Sequence, residues 1–531
     1  MSSTCQFVGI FDAWLQPGFC AETYTTGLAK PRGLHISGDG EIFLVESGMS
    51  RVVRLDDDGK TITPIANASN LNHGIELLGG YLYASSDTTV YRWSYMTGQN
   101  NLNDTARQSV IVGIPPGGDH TTRTLAFDKA SIWLYVSIGS SGNVVVDNTR
   151  SRIHRFNIAD WDRPKNFGGG ELVAAGLRDA VGLAFDDSGV LWGVESSAYG
   201  LDREDLGVNI QEDNPADELN RFRMDQKGQH WGYPYCWSEY CLPATKGGSG
   251  IKGVGTLWAW QNYNYQTIQG VQVNDASCRE KTNQPVISLP ARSVPLGITF
   301  YKWQDMSQVA SCKGGFPQIM DKWAFLAFHG STSGYSATGY KVVFVPLDDN
   351  GNPTRAYPID LFRHDGDTPE WDIRPVSLQF DRCGRLFITE DGIGSVIKIT
   401  YSGAYTDQAN PVDNGVADGK SCLNVLDPQL DARLDAQLDA QLDDRLDARL
   451  DDRLDARLDA RLDARLDDRH VVPLKSQRPT RRPGASLTDG DLDITKNAEE
   501  PAFFNGYGGG HDSIADVDGN NDDDGDLDEQ I

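Results

Sequence analysis

The feature that most limits how this chain can fold is a pattern that returns six times between Lys30 and Tyr401. Each copy is an apolar stretch, a turn built on Gly, Asp or Ser, and a second apolar stretch. The copies read KPRGLHISGDGEIFLVE from Lys30, LNHGIELLGGYLYASS from Leu71, HTTRTLAFDKASIWLYVSIGS from His120, AVGLAFDDSGVLWGVES from Ala180, PLGITFY…KWAFLAFHGS from Pro295 and IRPVSLQFDRCGRLFITED from Ile373. Turns such as GDG, DDSG and DRCG use residues that tolerate dihedrals bulky residues avoid. The flanks are rich in Val, Ile, Phe, Tyr and Trp and read as strands. A four-stranded unit repeated six times buries both faces only when the units are arranged radially. The expected fold is therefore all-β, a six-bladed β-propeller over residues 1–405, with a site at its central channel.

Beyond the propeller, residues 406–429 read as a linker and residues 430–469 as ten copies of a four-residue unit, LDAR with LDAQ and LDDR variants. Four residues advance about 400° on a helix, so the leucines circle the axis and no apolar face persists. Asp meets Asp and Arg meets Arg at i,i+4, the unfavourable spacing. The segment reads as a marginal solvated helix or a disordered polyampholyte. Residues 470–531 read as a disordered acidic tail. Of the net charge of −27, the repeat carries −5 and the tail −9, leaving −13 for the rest. The propeller is only moderately acidic, and nothing in it reads as a nucleic-acid surface. No stretch approaches the ~20 apolar residues of a membrane span.

The N-terminus, MSSTCQFVGIFDAW, lacks the basic and apolar regions of a secretory signal. Cysteine usage points outward all the same. Cys5 and Cys20 bracket one loop and Cys236 and Cys241 another, spacings that suit disulfides, with connectivity left open. Asn67-Ala-Ser and Asn103-Asp-Thr are glycosylation sequons. The expectation is a secreted, extracellular protein whose signal peptide is not visible in this chain.

Polar residues near the starts of the inner strands converge on a propeller axis, as a site for a polar ligand requires. Six such positions are His73 in LNHGI, His120 in DHTTRT, Arg178 in GLRDAVGL, Arg292 in PARSVPLG, His329 in AFHGS and Arg374 in DIRPVS. Taken singly, each could merely bond a neighbouring blade; taken as a set, they read as a site.

The segments GGDHTTRTLAFD, GLRDAVGLAFDDSGVLWGVES, DNPADELN, GYPYCW and PLGITFY…HGS…GYKVV resemble the soluble quinoprotein sugar dehydrogenases, most closely the fungal pyranose dehydrogenase and sorbosone dehydrogenase branch. The resemblance runs from about Gly27 to Tyr401. It implies pyrroloquinoline quinone (PQQ) and Ca2+ held on the axis, and oxidation of a pyranose at its anomeric carbon. By the same resemblance His120 is the general base, for which an imidazole pKa is suited, and Arg178 stands beside the quinone oxygens. His73, Arg123, Arg178, Asp179, Arg292, His329 and Arg374 form the implied cofactor-binding set, and the backbone carbonyls at Ser197 and Ala198 the implied calcium turn. Electrons would pass to a small acceptor or a haem protein. Three positions depart from the family pattern: Asp179 replaces the usual Asn, Arg292 a common His, and HGSTSGY the usual HGSWNR. They bear on cofactor affinity and sugar specificity, not on the fold. Trp231, Tyr233 and Trp237 either stack on sugar faces or belong to the blade core. Two other functions remain in view: a calcium-dependent lactonase of the six-bladed type, and a degenerate, non-catalytic propeller that binds carbohydrate or protein.

Overall fold

The computed structural model describes residues 13–403 except 148, 160, 208–209, 243–252, 307, 310, 332–337 and 365–372. The linker, the LDAR repeat, the acidic tail, Cys5 and the altered HGSTSGY segment past Ser331 lie outside the described residues.

Among the described residues the strands form six sheets of four or five strands, and each sheet begins with one of the six repeated segments. The innermost strands are Pro31–Ile36, Leu71–Leu78, Leu125–Phe127, Ala180–Phe185, Pro295–Phe300 and Pro375–Phe380, which number blades 1 to 6. The strand that follows in each blade is antiparallel to the first. In blades 1, 4, 5 and 6 that second strand is buried along its whole length. Covered on both faces by neighbouring blades, such strands read in sequence as unbroken apolar runs rather than alternating ones.

Among the described residues six core clusters lie at the junctions between blades, while two more pack the excursion of blade 4 and a small one joins the inner strands of blades 4, 5 and 6. Phe43, Val52, Leu82 and Trp93 join blades 1 and 2, and Val90, Val136 and Phe156 join blades 2 and 3. Similar clusters close the next three junctions, and Leu44, Val53, Phe387 and Val396 join blade 6 back to blade 1. The ring is tied by the N-terminal strand Phe19–Thr26, which supplies the outer strand of blade 6 by pairing antiparallel with Ser395–Tyr401. Closure of this kind removes the open edges that a linear array of sheets would expose.

The axis is crowded. A Cβ on Gly33 would stand 2.0 Å from the His73 carbonyl oxygen, and one on Gly297 would stand 2.6 Å from that of Val376. Only a residue without a side chain lets adjacent inner strands approach so closely. Gly33→Ala is expected to lower stability by about 2–3 kcal/mol through overpacking against backbone, read as a fall in the midpoint of thermal or urea unfolding. An unchanged midpoint would show that the blades can move apart at no cost.

Blade 4 carries an excursion, residues 223–286, between its third strand Asp217–Phe222 and its fourth, Ile287–Leu289. It holds the helix Asp275–Lys281, opened by an Asn274–Ser277 capping box, and a hairpin of Cys236–Ser238 with Leu257–Ala259. Cys236 is bonded to Cys278, not to the nearby Cys241, and Cys312 is bonded to Cys383. Spacing along the chain misleads here because the hairpin returns to the helix in space.

Candidate active site

Each inner strand starts, and each second strand ends, at the same end of the propeller, because the two are antiparallel. The segments that enter the blades and those that leave the second strands therefore share one mouth of the channel. A recurrent Glu fixes the geometry. Glu46, Glu195 and Glu390 close the second strands of blades 1, 4 and 6. Glu46 accepts from the Ala29 backbone N–H at 2.9 Å, and Glu195 from that of Arg178, so both clamp the segment entering their own blade.

His120 enters blade 3 and is 3% exposed. Its Nδ1 lies 3.0 Å from the Ser140 carbonyl oxygen and 2.9 Å from the Ser140 hydroxyl oxygen. A carbonyl can only accept, and the Ser140 hydroxyl gives its own proton to the Gly142 carbonyl at 2.6 Å. Nδ1 must therefore carry the proton, which leaves Nε2 as the basic nitrogen. Nε2 has no partner among the described residues. Burial holds the imidazole below its usual 6.5, against an upward pull from Asp179, so His120 is neutral at neutral pH and able to take a proton.

The same short loop holds Arg178. Its Nε donates to the Asn143 carbonyl at 3.0 Å and Nη2 to the Asn143 side-chain oxygen at 3.2 Å, while Nη1 donates to the Ser196 carbonyl at 3.3 Å. The loop in turn hangs on Tyr233, whose hydroxyl accepts from Val145 N–H at 2.7 Å and donates to Gly142 O at 3.3 Å. Ser140 and Asn143 thus set the two principal groups from one support. Nothing in sequence distinguished them, since neither is an ionisable residue.

Arg123 does not reach the channel. It is fully buried and donates to the backbone carbonyls of Asp87, His120, Thr122 and Pro115. Arg150 does the same for Gly139, Pro116, His120 and Ser140. Both are positioning residues behind His120, and every nitrogen of the Arg123 guanidinium donates to a backbone carbonyl. Asp179 is buried beside them. Its Oδ1 lies 2.3 Å from where a Cβ on Gly139 would stand, and that Cβ would be 2.7 Å from the Cβ of His120. The missing side chain at Gly139 lets carboxylate and imidazole share one cradle. The charge of Asp179 is felt by Arg123 and Arg150 as well as by His120, so the departure from Asn is met by guanidinium groups of the same cradle.

The turn after the second strand of blade 4 is held from below. Asp217 accepts from Ser197 N–H at 2.8 Å, from the Ser293 hydroxyl at 3.0 Å and from Val294 N–H at 2.8 Å. Burial raises Asp217 to about 6 and its neighbour Glu218 to about 7. The carbonyls of Ser197 and Ala198 receive no hydrogen bond among the described residues. Adjacent carbonyl oxygens without donors suit a hard cation.

The opposite side of the mouth is built by blades 1, 2, 5 and 6. His329 Nε2 lies 2.8 Å from Asp391 Oδ1, whose Oδ2 accepts from Arg32 at 2.6 Å. Burial holds His329 below 6.5 in spite of Asp391, and it lowers His73 to about 3, helped by Arg32. Burial works against ionisation of Asp391 as well, but His329 and Arg32 overcome it and hold the carboxyl far below its usual range. Arg374 donates through Nη2 to Gly330 O at 3.1 Å. Among the described residues the Nδ1 of His73, the Nδ1 of His329 and the Nε of Arg374 are each buried with no hydrogen-bond partner. Buried polar atoms left unpaired are costly, and three in one rim call for a polar ligand. Arg32 and Asp391 were not singled out from sequence, although KPRG and ITED carry them at repeat positions. Arg292 is paired with Glu212 at 3.1 Å. Trp231, Tyr233 and Trp237 are buried and packed; of the two roles open to them, the structure assigns the core.

Residues 13–402 match the TrAA12-like family. A Hypocrea jecorina protein described as a pyrroloquinoline quinone-dependent sugar dehydrogenase is 30% identical over 429 residues, covering 74% of this chain and 89% of its own. A Coprinopsis cinerea pyrroloquinoline quinone-dependent pyranose dehydrogenase is 26% identical over 351 residues, 62% of this chain but 44% of that longer protein. Among solved structures, the calcium structure of a Trichoderma reesei carbohydrate-active enzyme of family AA12 superposes with a TM-score of 0.64 at 28% identity, covering 76% of this chain and 100% of that one. The holo PQQ domain of the Coprinopsis cinerea pyranose dehydrogenase superposes with a TM-score of 0.63 at 24% identity, over 74% and 98% of the two chains, a likeness of fold.

Proposed function

This chain belongs to the TrAA12-like family, and from that premise we propose that it is a PQQ-dependent oxidoreductase that oxidises pyranose sugars at the anomeric carbon. The observation that carries the chemistry is the pairing of a neutral, tautomerically fixed His120 with Arg178 on one loop support. The fit to the cofactor rests on the rim. The Nε–H of Arg374, unpaired among the described residues, suits a carboxylate of PQQ, and Arg178 suits its quinone oxygens. His73 and His329, both held neutral by burial, offer partners for its remaining polar atoms. The carbonyls of Ser197 and Ala198 suit Ca2+. When bound, the quinone supplies an acceptor for the hydride of the anomeric C–H.

The chain's own residues do the rest. His120 Nε2 accepts the proton of the anomeric hydroxyl, while Nδ1–H, bound to Ser140, keeps the ring in the acceptor tautomer. Arg178 places positive charge where negative charge develops. The oxidised sugar leaves as a lactone, and the electrons pass to a small acceptor or a haem protein.

Because protonated His120 cannot act as a base, kcat/KM should fall on the acid side, with its inflection below 6.5. The charge of Asp179 pulls that pKa up, so Asp179→Asn should move the inflection to still lower pH. The check is a pH profile of dye-linked pyranose oxidation for both proteins. A profile that Asp179→Asn leaves unmoved, or moves upward, contradicts the assignment of His120.

Among the described residues no three His, Cys, Asp or Glu side chains come together to hold a metal, so no observation there favours the lactonase reading, which needs such ligands. The disulfides Cys236–Cys278 and Cys312–Cys383 and the exposed sequon residues Asn67 and Asn103 support an extracellular setting. Residues beyond Asp427 are dispensable on this reading: truncation there should leave both the unfolding midpoint and turnover unchanged, and a large loss of either refutes it.

A further inference from the structure

One patch of the blade 4 excursion stands apart chemically. From Leu257 to Asn274 there is no charged residue, in a chain in which 23% of residues are charged. The sequence WQNYNYQ from Trp260 to Gln266 interleaves aromatic rings with amides. Tyr265 is 70% exposed, and Trp260 and Tyr263 are half-buried. Ring centroids of Trp260 and Tyr263 are 5.6 Å apart, those of Tyr263 and Tyr265 6.5 Å, and Tyr235 adds a ring 5.5 Å from Tyr263. Asn262 and Asn264 are exposed, and their amides make no hydrogen bond among the described residues.

The row is rigid, and it is tied to the proposed sugar site. Arg203 donates to the Ala259 carbonyl at 2.7 Å, immediately before Trp260, and is paired with both Asp205 and Asp275. The bond between Cys236 and Cys278 fixes the hairpin from the other side. The Trp260 indole donates to the Asp202 carbonyl at 3.3 Å. Asp202 lies on the segment that carries Tyr199, itself 45% exposed, with its ring centroid 6.0 Å from the Arg178 guanidinium carbon. The segment from Tyr199 to Asp202 therefore links the edge of the channel mouth to the excursion.

We propose that this row is a carbohydrate-binding shelf for the extended chain of an oligosaccharide. The flat apolar faces of pyranose rings stack on aromatic side chains, and their hydroxyls take the intervening amides. A nucleic acid would need cations that the stretch lacks, and a charged protein partner would find no complement. The excursion's disulfide and buried Arg203 pre-organise the rings, which lowers the cost of binding. The proposal rests on the dehydrogenase reading only for which sugar of the chain is oxidised, the terminal residue that reaches the channel; binding itself does not depend on it.

The test is calorimetric titration of the full chain, without added PQQ, with cellohexaose, xylohexaose, mannohexaose, maltohexaose and glucose. The shelf predicts binding of at least one hexaose, weakened about tenfold by Tyr265→Ala and by Trp260→Ala, with oxidation of the monosaccharide by the PQQ-loaded variants unchanged. Tyr265→Ala alters a largely exposed ring, so folding does not confound the result. The proposal is overturned if no hexaose binds, or if neither substitution weakens binding. It is also overturned if light scattering finds a dimer that Tyr265→Ala dissolves, since the row would then belong to a second copy. Ring-dependent hexaose binding by a protein that oxidises no sugar would keep the shelf and remove the dehydrogenase reading.

Discussion

His120→Ala lowers kcat for pyranose oxidation by about 10²–10⁴-fold, the usual contribution of a positioned general base, and leaves cofactor affinity nearly unchanged. The expectation follows from the hydrogen bonds around the ring. Ser140 takes the Nδ1 proton and Gly142 takes the Ser140 proton, so the imidazole has one tautomer, and Nε2 is its only basic nitrogen. Truncation to Ala also removes one of the two donors to the Ser140 carbonyl, leaving it the Arg150 guanidinium at 3.3 Å, which costs about 0.5–1.5 kcal/mol of stability. His120→Asn separates the two effects, because an amide can still donate to Ser140 yet cannot accept a proton from an alcohol. Steady-state kinetics on both variants, with unfolding midpoints measured alongside, should find equal losses of kcat and a smaller loss of stability in the Asn variant. Near-normal turnover in the Asn variant would mean that another group takes the proton.

The second large effect is expected at Arg374. Among the described residues its Nε is buried without a partner, and Nη2 alone is engaged, through the Gly330 carbonyl. A charge-assisted bond to a cofactor carboxylate contributes roughly 1.5–3 kcal/mol, so Arg374→Ala should weaken PQQ binding by about 10–100-fold. Turnover at saturating PQQ should change little, since the residue holds the cofactor and not the reacting atoms. Arg374→Lys restores the charge without the planar fork and should recover only part of the affinity. Titration of the apoprotein with PQQ, followed by tryptophan fluorescence, gives the dissociation constants. Equal affinity for wild type and Arg374→Ala would show that this guanidinium plays no part in holding the cofactor.

The propeller was legible because its information is local and repeated. The segments at Lys30, Leu71, His120, Ala180, Pro295 and Ile373 each lead into an inner strand within a few residues. What closes the ring was not legible. Phe19–Thr26 pairs with Ser395–Tyr401 across almost the whole propeller, and no short pattern announces such a partner. The cysteine pairing was left open for a related reason: Cys236 and Cys241 are five positions apart in sequence, but Cys236 bonds Cys278, on the helix Asp275–Lys281. Within the site, charged residues could be named but their directions could not. Arg123 and Arg178 are alike in composition and position, yet one is sealed behind His120 by backbone carbonyls and the other stands beside an exposed Tyr199. Ser140 and Asn143 went unseen because the work they do is done by hydroxyl, amide and carbonyl groups common to any loop.

Whether this mouth holds PQQ and turns over sugar is read by titrating calcium-loaded apoprotein with PQQ and then following the cofactor's absorbance as a panel of pyranoses is added. Saturable binding, followed by sugar-dependent reduction in wild type and none in His120→Asn, is the predicted result. Absence of PQQ binding, or bound PQQ that every pyranose leaves oxidised, would contradict it.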